Sequence, residues 1–340
     1  MNDLTPKERI FRTFNKKTID RPAIICPGGM MNAAIVDVMN KTGNLLPEGH
    51  HDSRIMAQLA VDVHENTGFE NFGIPFCMTV EAEVLGSEIN YGTLACEPKI
   101  QKELYTCAAD VVFKELGAME KNKRVNSIIK ATYSLSKKYP DVPVIGSLTG
   151  PISTSASLID PISFLKELRK NPSNAHSVID YVSNHIIELA KLMIENGANV
   201  ISIADPTATG EILGPKMFNE YAVRYLNKII NAIHAMNTPV IVHICGKMSA
   251  VQKYVPDIKS DAISTDSSIS LKMLKDEYPQ LITMGNVSTY LLEFGDEEKI
   301  SSQTAKLVNE GINIISPACG LSTSTPLKNI EAMTKMVKES

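Results

Sequence analysis

Short apolar runs closed by Gly, Pro or a polar residue recur along this chain, and from residue 142 onward they alternate regularly with longer amphipathic stretches. The runs at 142–148, 200–204, 240–244, 262–265, 281–284 and 312–316 predict buried strands. Between them, 174–195, 215–236, 249–254, 271–278 and 297–310 carry helical spacing, and 327–337 closes the chain with another helix. Gly197 suits the stop of the longest of these, and Pro215 suits a helical first turn. Earlier in the chain, Thr5 and Glu8 form a capping-box pattern that opens a helix running to about Phe14. Apolar residues at Ile55, Met56, Leu59, Ala60 and Val63 predict a helix over 52–67, and two further strands fall at 23–26 and 71–76. Residues 79–93 break the alternation, and 84–92 reads as a hairpin excursion. The basic stretch 121–138 predicts an amphipathic helix with a solvated charged face, stopped by Pro140. Strands that each precede a helix pair in parallel with the helices outside, and about eight such units close into a (β/α)8 TIM barrel. No linker or repeat divides the chain, so the reading is one α/β domain over 1–340, with an N-terminal helical segment and a hairpin after the second strand.

Composition narrows the partners. A net charge of −4 gives no electrostatic case for nucleic acid or an anionic membrane, and the lack of Trp argues against a stacking platform for single strands. No run approaches the ~20 apolar residues that span a bilayer. The first residues carry both charge signs without an apolar core, unlike a secretion signal. Six cysteines in 340 residues are too sparse for a disulfide framework. The expected setting is cytoplasmic, with the thiols reduced and available as ligands.

In a barrel of this kind the chemistry sits at the C-terminal strand ends. The run Pro239-Val240-Ile241-Val242-His243-Ile244-Cys245-Gly246 puts a His and a Cys on one strand face, about 6.5–7 Å apart along the strand. Cys319 ends a similar run, Ile312 to Gly320. A His, a Cys and a second Cys suit Zn²⁺ and leave one coordination position open, as a catalytic zinc requires. Asp205, Asp266 and Asn286 also follow strands directly. Asp205 and Asp266 equally suit helix caps or turns, and Asn286 a loop brace. Glu81 and Glu83 follow the second strand, where either fits the fourth zinc position or an exposed loop. Cys26, Cys77, Cys96 and Cys107 read as core or surface residues, and His50-His51 as solvated.

Several segments together resemble the uroporphyrinogen decarboxylase superfamily, and within it the cobalamin-dependent methylcobamide:coenzyme M methyltransferases. They are Ile19-Asp20-Arg21-Pro22, the stretches 75–83 and 143–151, His243-Ile244-Cys245-Gly246, Gly285-Asn286-Val287, Cys319-Gly320 and 325–330. The resemblance implies a TIM barrel and zinc on His243, Cys245 and Cys319, with a methylated corrinoid (methylcobalamin or a separate corrinoid protein) as donor and a small thiol as acceptor. From their places at the strand ends, Asp205 and Asn286 are further catalytic candidates, and Glu81 is a candidate fourth metal ligand. Gly28, Gly29 and Asp266 are candidates for the corrinoid rim. The decarboxylase branch carries an Arg-rich loop after the first strand, whereas Cys26-Pro27-Gly28-Gly29-Met30-Met31 has no cation to pair with substrate carboxylates. The alternatives are a uroporphyrinogen-type decarboxylase and methyl transfer to homocysteine or tetrahydrofolate.

Overall fold

The apolar runs pair side by side. In the computed structural model, which describes residues 3–340, the strands in chain order begin with β1 (Ala23–Ile24) and β2 (Phe72–Ile74). The pair β3 (Glu88–Asn90) and β4 (Lys99–Lys102) follows, then β5 (Val144–Thr149), β6 (Val200–Ala204) and β7 (Val240–Ile244). Last come β8 (Ala262–Thr265), β9 (Thr283–Met284) and β10 (Ile314–Ile315). Eight of them form one parallel sheet in the order β1-β10-β9-β8-β7-β6-β5-β2. Every residue of β5, β6, β7 and β8 is buried, as a sheet covered on both faces requires. The architecture is the (β/α)8 barrel expected from the alternation.

The curled sheet closes between its two edge strands without a regular ladder. The Asn71 side chain takes the ladder's place: Cys26 N donates to its Oδ1 at 2.9 Å, and its Nδ2 donates to Cys26 O at 2.9 Å. Glu70 N donates to Ile24 O at 2.8 Å just below. Above, the chains touch through two glycines, since a Cβ on Gly73 would lie 2.5 Å from the Pro27 carbonyl and one on Gly28 2.6 Å from the Gly73 carbonyl carbon. Glycine is required there because only a bare backbone lets the strands come this close.

Helices cover the outside. The first spans Pro6–Phe14, with Thr5 and Glu8 in the reciprocal capping box. Asp52 caps Ser53–Thr67, and Gly68 ends it at φ +80°. Lys123–Lys138 and Pro172–Glu195 fall where the spacing put them.

Three expectations need correction. The hairpin is not 84–92: Val80–Leu85 is a short helix with Val84 and Leu85 buried, and the hairpin pairs β3 with β4. The helix expected over 215–236 does begin at Pro215, just after Gly214 breaks the preceding turn at φ +67°, but it is not α-helical throughout. It continues as a π-helical turn, Phe218–Val223, and then Arg224–His234. The helix expected at 249–254 is a 3-10 segment at Gln252–Asp257, interrupted by Pro256. Helices Val36–Thr42, Pro151–Leu158, Pro161–Lys170 and Thr289–Phe294 lie in stretches that the sequence pattern assigns to no element.

Candidate metal centre at the open end of the barrel

β7 is apolar up to its last turn of pleat, so packing fixes its backbone and aims the residues at its end. His243 pairs with Ala204 of β6 and Ser264 of β8, and Cys245 lies on the same strand face two residues on. Cys319 arrives from the loop after β10. His243 Nε2 lies 3.2 Å from Cys245 Sγ, and the two sulfurs are 2.8 Å apart. The three ligand atoms all lie within 4.8 Å of one another, a group that can hold a metal ion. The donor set suits zinc in kind, and a tetrahedral ion with about 2.3 Å to each sulfur would part the two sulfurs to about 3.7–3.8 Å from their present 2.8 Å. His243 is fully buried, while both cysteines stay partly accessible. The two thiols titrate as a pair. A hydrogen bond from Cys245, and then one from His243, lowers Cys319, while the Cys319 sulfur, burial and the charge of Asp266 raise Cys245.

The other predicted residues separate into two sets. Asn286 and Asp266 stand beside the centre. Asn286 Nδ2 donates to Asp266 O at 2.8 Å and Ile269 O at 2.9 Å, which braces the loop after β8. Asp266 Oδ1 accepts from Ser268 N at 2.8 Å, so it also acts as a turn residue.

Asp205, Glu81, Gly28 and Gly29 have work elsewhere. Asp205 is fully buried and accepts from Ile152 N at 3.1 Å, Ser153 N at 2.8 Å and Ser153 Oγ at 2.6 Å. It therefore caps Pro151–Leu158, a helix that follows the neighbouring strand rather than its own. Glu81 is buried with Oε1 accepting from Thr149 N at 2.7 Å, and burial raises its carboxyl. It is not among the clustered ligand atoms, so the structure gives no support to Glu81 as the fourth ligand. Glu83 is paired to Arg124 and accepts from Tyr91 Oη at 2.8 Å. Gly28 and Gly29 are buried rather than rim residues: Gly28 packs in the β1–β2 closure, and Gly29 N donates to Pro75 O at 2.7 Å. His50 is buried too, and burial, with Arg124 adding, lowers it to about 3; only His51 is solvated.

Burial raises Asp205 to about 6, so the folded state favours its protonated form. Its contribution to stability is full below the unfolded value near 3.8 and is lost as pH rises through about 6. Urea unfolding of Asp205→Asn should therefore show a deficit against the native chain that shrinks, by roughly 1–3 kcal/mol, between pH 4 and 7. A pH-independent deficit would show that the carboxyl does not titrate in this range.

Two residues near the centre carry no signal in the linear sequence. Ser264 meets His243 only through strand register, its Oγ lying 2.9 Å from Nδ1. Glu97, near the tip of the hairpin, accepts from Asn32 Nδ2 at 2.8 Å. Burial raises its carboxyl, and so does the charge of Cys319. The same tip receives a bond from the loop beyond Cys319, Thr323 Oγ1 to Ala95 O at 2.9 Å.

A parallel (β/α)8 barrel with a His and two Cys gathered at the C-terminal ends of its strands is the frame of a barrel enzyme with a cluster that could hold a metal ion. The uroporphyrinogen decarboxylase (URO-D) family matches residues 5–340, and the chain belongs to it. It is similar to the methylcobamide:CoM methyltransferase MtbA of Methanosarcina acetivorans, with 32% identity covering 99% of both chains. It is also similar to the methylcobamide:CoM methyltransferase MtaA of Methanosarcina barkeri, with 30% identity over 98% of this chain and 97% of the relative. Among solved structures, a methyltransferase from Methanosarcina mazei superposes with a TM-score of 0.91 at 28% identity, covering 99% of each chain.

Proposed function

We propose that this protein moves a methyl group from a methylated corrinoid, presented by a separate corrinoid protein, to a small thiol of the coenzyme M type. His243, Cys245 and Cys319 would hold a zinc ion for the reaction. The observation that carries the reading is the convergence of these three ligand atoms at the open end of the barrel. Relatives matched along nearly their whole length are named for methyl transfer between a cobamide and coenzyme M, which supports the same direction.

A zinc ion held by the His243 imidazole and the Cys245 and Cys319 thiolates would supply the Lewis acidity that keeps a thiol of ordinary pKa near 8.5 deprotonated at neutral pH. The donor set matches the ion's charge, so an arriving thiolate retains nucleophilic electron density. Its lone pair forms the S–CH₃ bond as the Co–C electron pair leaves with cobalt, which passes from Co(III) to Co(I). Asn286 holds the loop after β8 in place, and Asp266 on that loop adds negative charge beside Cys245. Decarboxylation of a tetrapyrrole is disfavoured because the loop after β1, Cys26 to Met31, offers no cation for substrate carboxylates.

The test is metal analysis of the native protein, followed by incubation with free methylcobalamin and a thiol panel including coenzyme M, homocysteine and cysteine. The expected result is about one zinc per chain, a methyl thioether and the Co(I) spectrum. Absence of stoichiometric zinc, or no methylation of any thiol, overturns the proposal. Loss of carboxyl groups from uroporphyrinogen favours the decarboxylase.

A further inference from the structure

A metal-binding imidazole has two ring nitrogens, and the partner of the one that does not face the metal decides which carries the proton. In β8 the alternation points Ser264 to the same side as its register partner His243 and Thr265 to the other. Ser264 and His243 are both fully buried, so no bulk water can substitute for either partner. Nδ1 of His243 lies 2.9 Å from Ser264 Oγ, while Nε2 faces Cys245 Sγ at 3.2 Å.

We infer that Ser264 is a positioning residue for the metal centre: in the metal-bound state its hydroxyl accepts the Nδ1 proton of His243 and leaves Nε2 to the metal beside Cys245 and Cys319. This rests on the zinc reading above. The constraint has two parts. A half-turn of the ring, which puts Cδ2 where Nδ1 was and Cε1 where Nε2 was, would leave a buried N–H without a partner, so the hydrogen bond holds the ring orientation. With a metal on Nε2 the ring proton must sit on Nδ1, and the Ser264 hydroxyl, able to accept as well as donate, gives that buried N–H its partner. The partner is a hydroxyl rather than a carboxylate, so it orients the ring without adding charge to the donor set.

Chelator competition gives the zinc dissociation constants of the native chain, Ser264→Ala and Ser264→Thr. Ser264→Ala is expected to weaken zinc binding about 10- to 100-fold, and Ser264→Thr, which retains the hydroxyl, to stay within about threefold of native. Cobalt(II)-loaded Ser264→Ala should also show altered ligand-field bands, which a general loss of stability would not produce. A long-range proton–nitrogen NMR spectrum of the zinc-loaded native chain reads which ring nitrogen keeps its proton without any substitution, and Nδ1–H is expected. An alanine variant within about threefold of native, or the Nε2–H tautomer, overturns the inference. A native chain that binds no zinc overturns the proposed function, whereas a native chain that binds zinc as tightly as Ser264→Ala overturns only the role of Ser264.

Discussion

Cys245→Ala and Cys319→Ala each lose stoichiometric zinc, and thiol methylation falls by at least about 10³-fold, while the barrel stays folded. Either substitution leaves only two of the three clustered ligand atoms. A metal held by an imidazole and a single sulfur is bound far more weakly, and the thiol substrate then keeps its proton at neutral pH. The fold should tolerate the change because both cysteines are partly accessible and lie beyond the ends of their strands. The expected stability cost is under about 2 kcal/mol. Metal content by mass spectrometry, far-ultraviolet circular dichroism and the methylcobalamin assay together check this. Full zinc content in both variants would remove the ligand assignment; loss of the circular dichroism signal would make the cysteines structural.

Gly73→Ala destabilises the whole barrel. Its Cβ would lie 2.5 Å from both Pro27 C and Pro27 O and 2.6 Å from Gly28 N, and these are backbone atoms with no rotamer by which to retreat. No left-handed backbone angle is involved at Gly73, so the effect isolates the close approach of β1 and β2. Relief requires the two chains to part, which also breaks the paired bonds of the Asn71 amide with Cys26. Overpacking of about 3 kcal/mol and one or two lost buried hydrogen bonds give a total near 4–5 kcal/mol, a fall in Tm of at least about 5 °C. Thermal unfolding of the metal-free protein measures it directly. A shift below about 2 °C would mean that the edge strands separate at little cost.

Much of the barrel could be read from the chain because its central strands are runs of β-branched residues bounded by polar ones. For 200–204, 240–244 and 262–265 the expected and observed bounds coincide. β1, β9 and β10 are shorter than their apolar runs because only a few of their residues find ladder partners. Pro151–Leu158 was missed since its Ser and Thr residues blur any helical stripe, though all but Ser157 are buried. His243, Cys245 and Cys319 were legible because strand alternation and strand ends are one-dimensional features. Asp205 has the same signature, yet its carboxylate faces a helix contributed by the adjacent strand, and chain order alone does not reveal that direction. Ser264 depends on how two strands slide into register, and Glu97 on how three loops pack. Neither has a local pattern to find.

The hairpin tip ties separate parts of the rim together. Ala95 takes a bond from Thr323, beyond Cys319, and Glu97 takes one from Asn32 in the loop that follows β1. Each crossing is worth on the order of 1 kcal/mol, so the segment bearing Cys319 shares its freedom with residues more than two hundred positions away in the chain. Evolutionary drift or engineering in this appendage therefore acts on the placement of the Cys319 sulfur, and grafting a different excursion onto the barrel would shift that sulfur without touching His243 or Cys245.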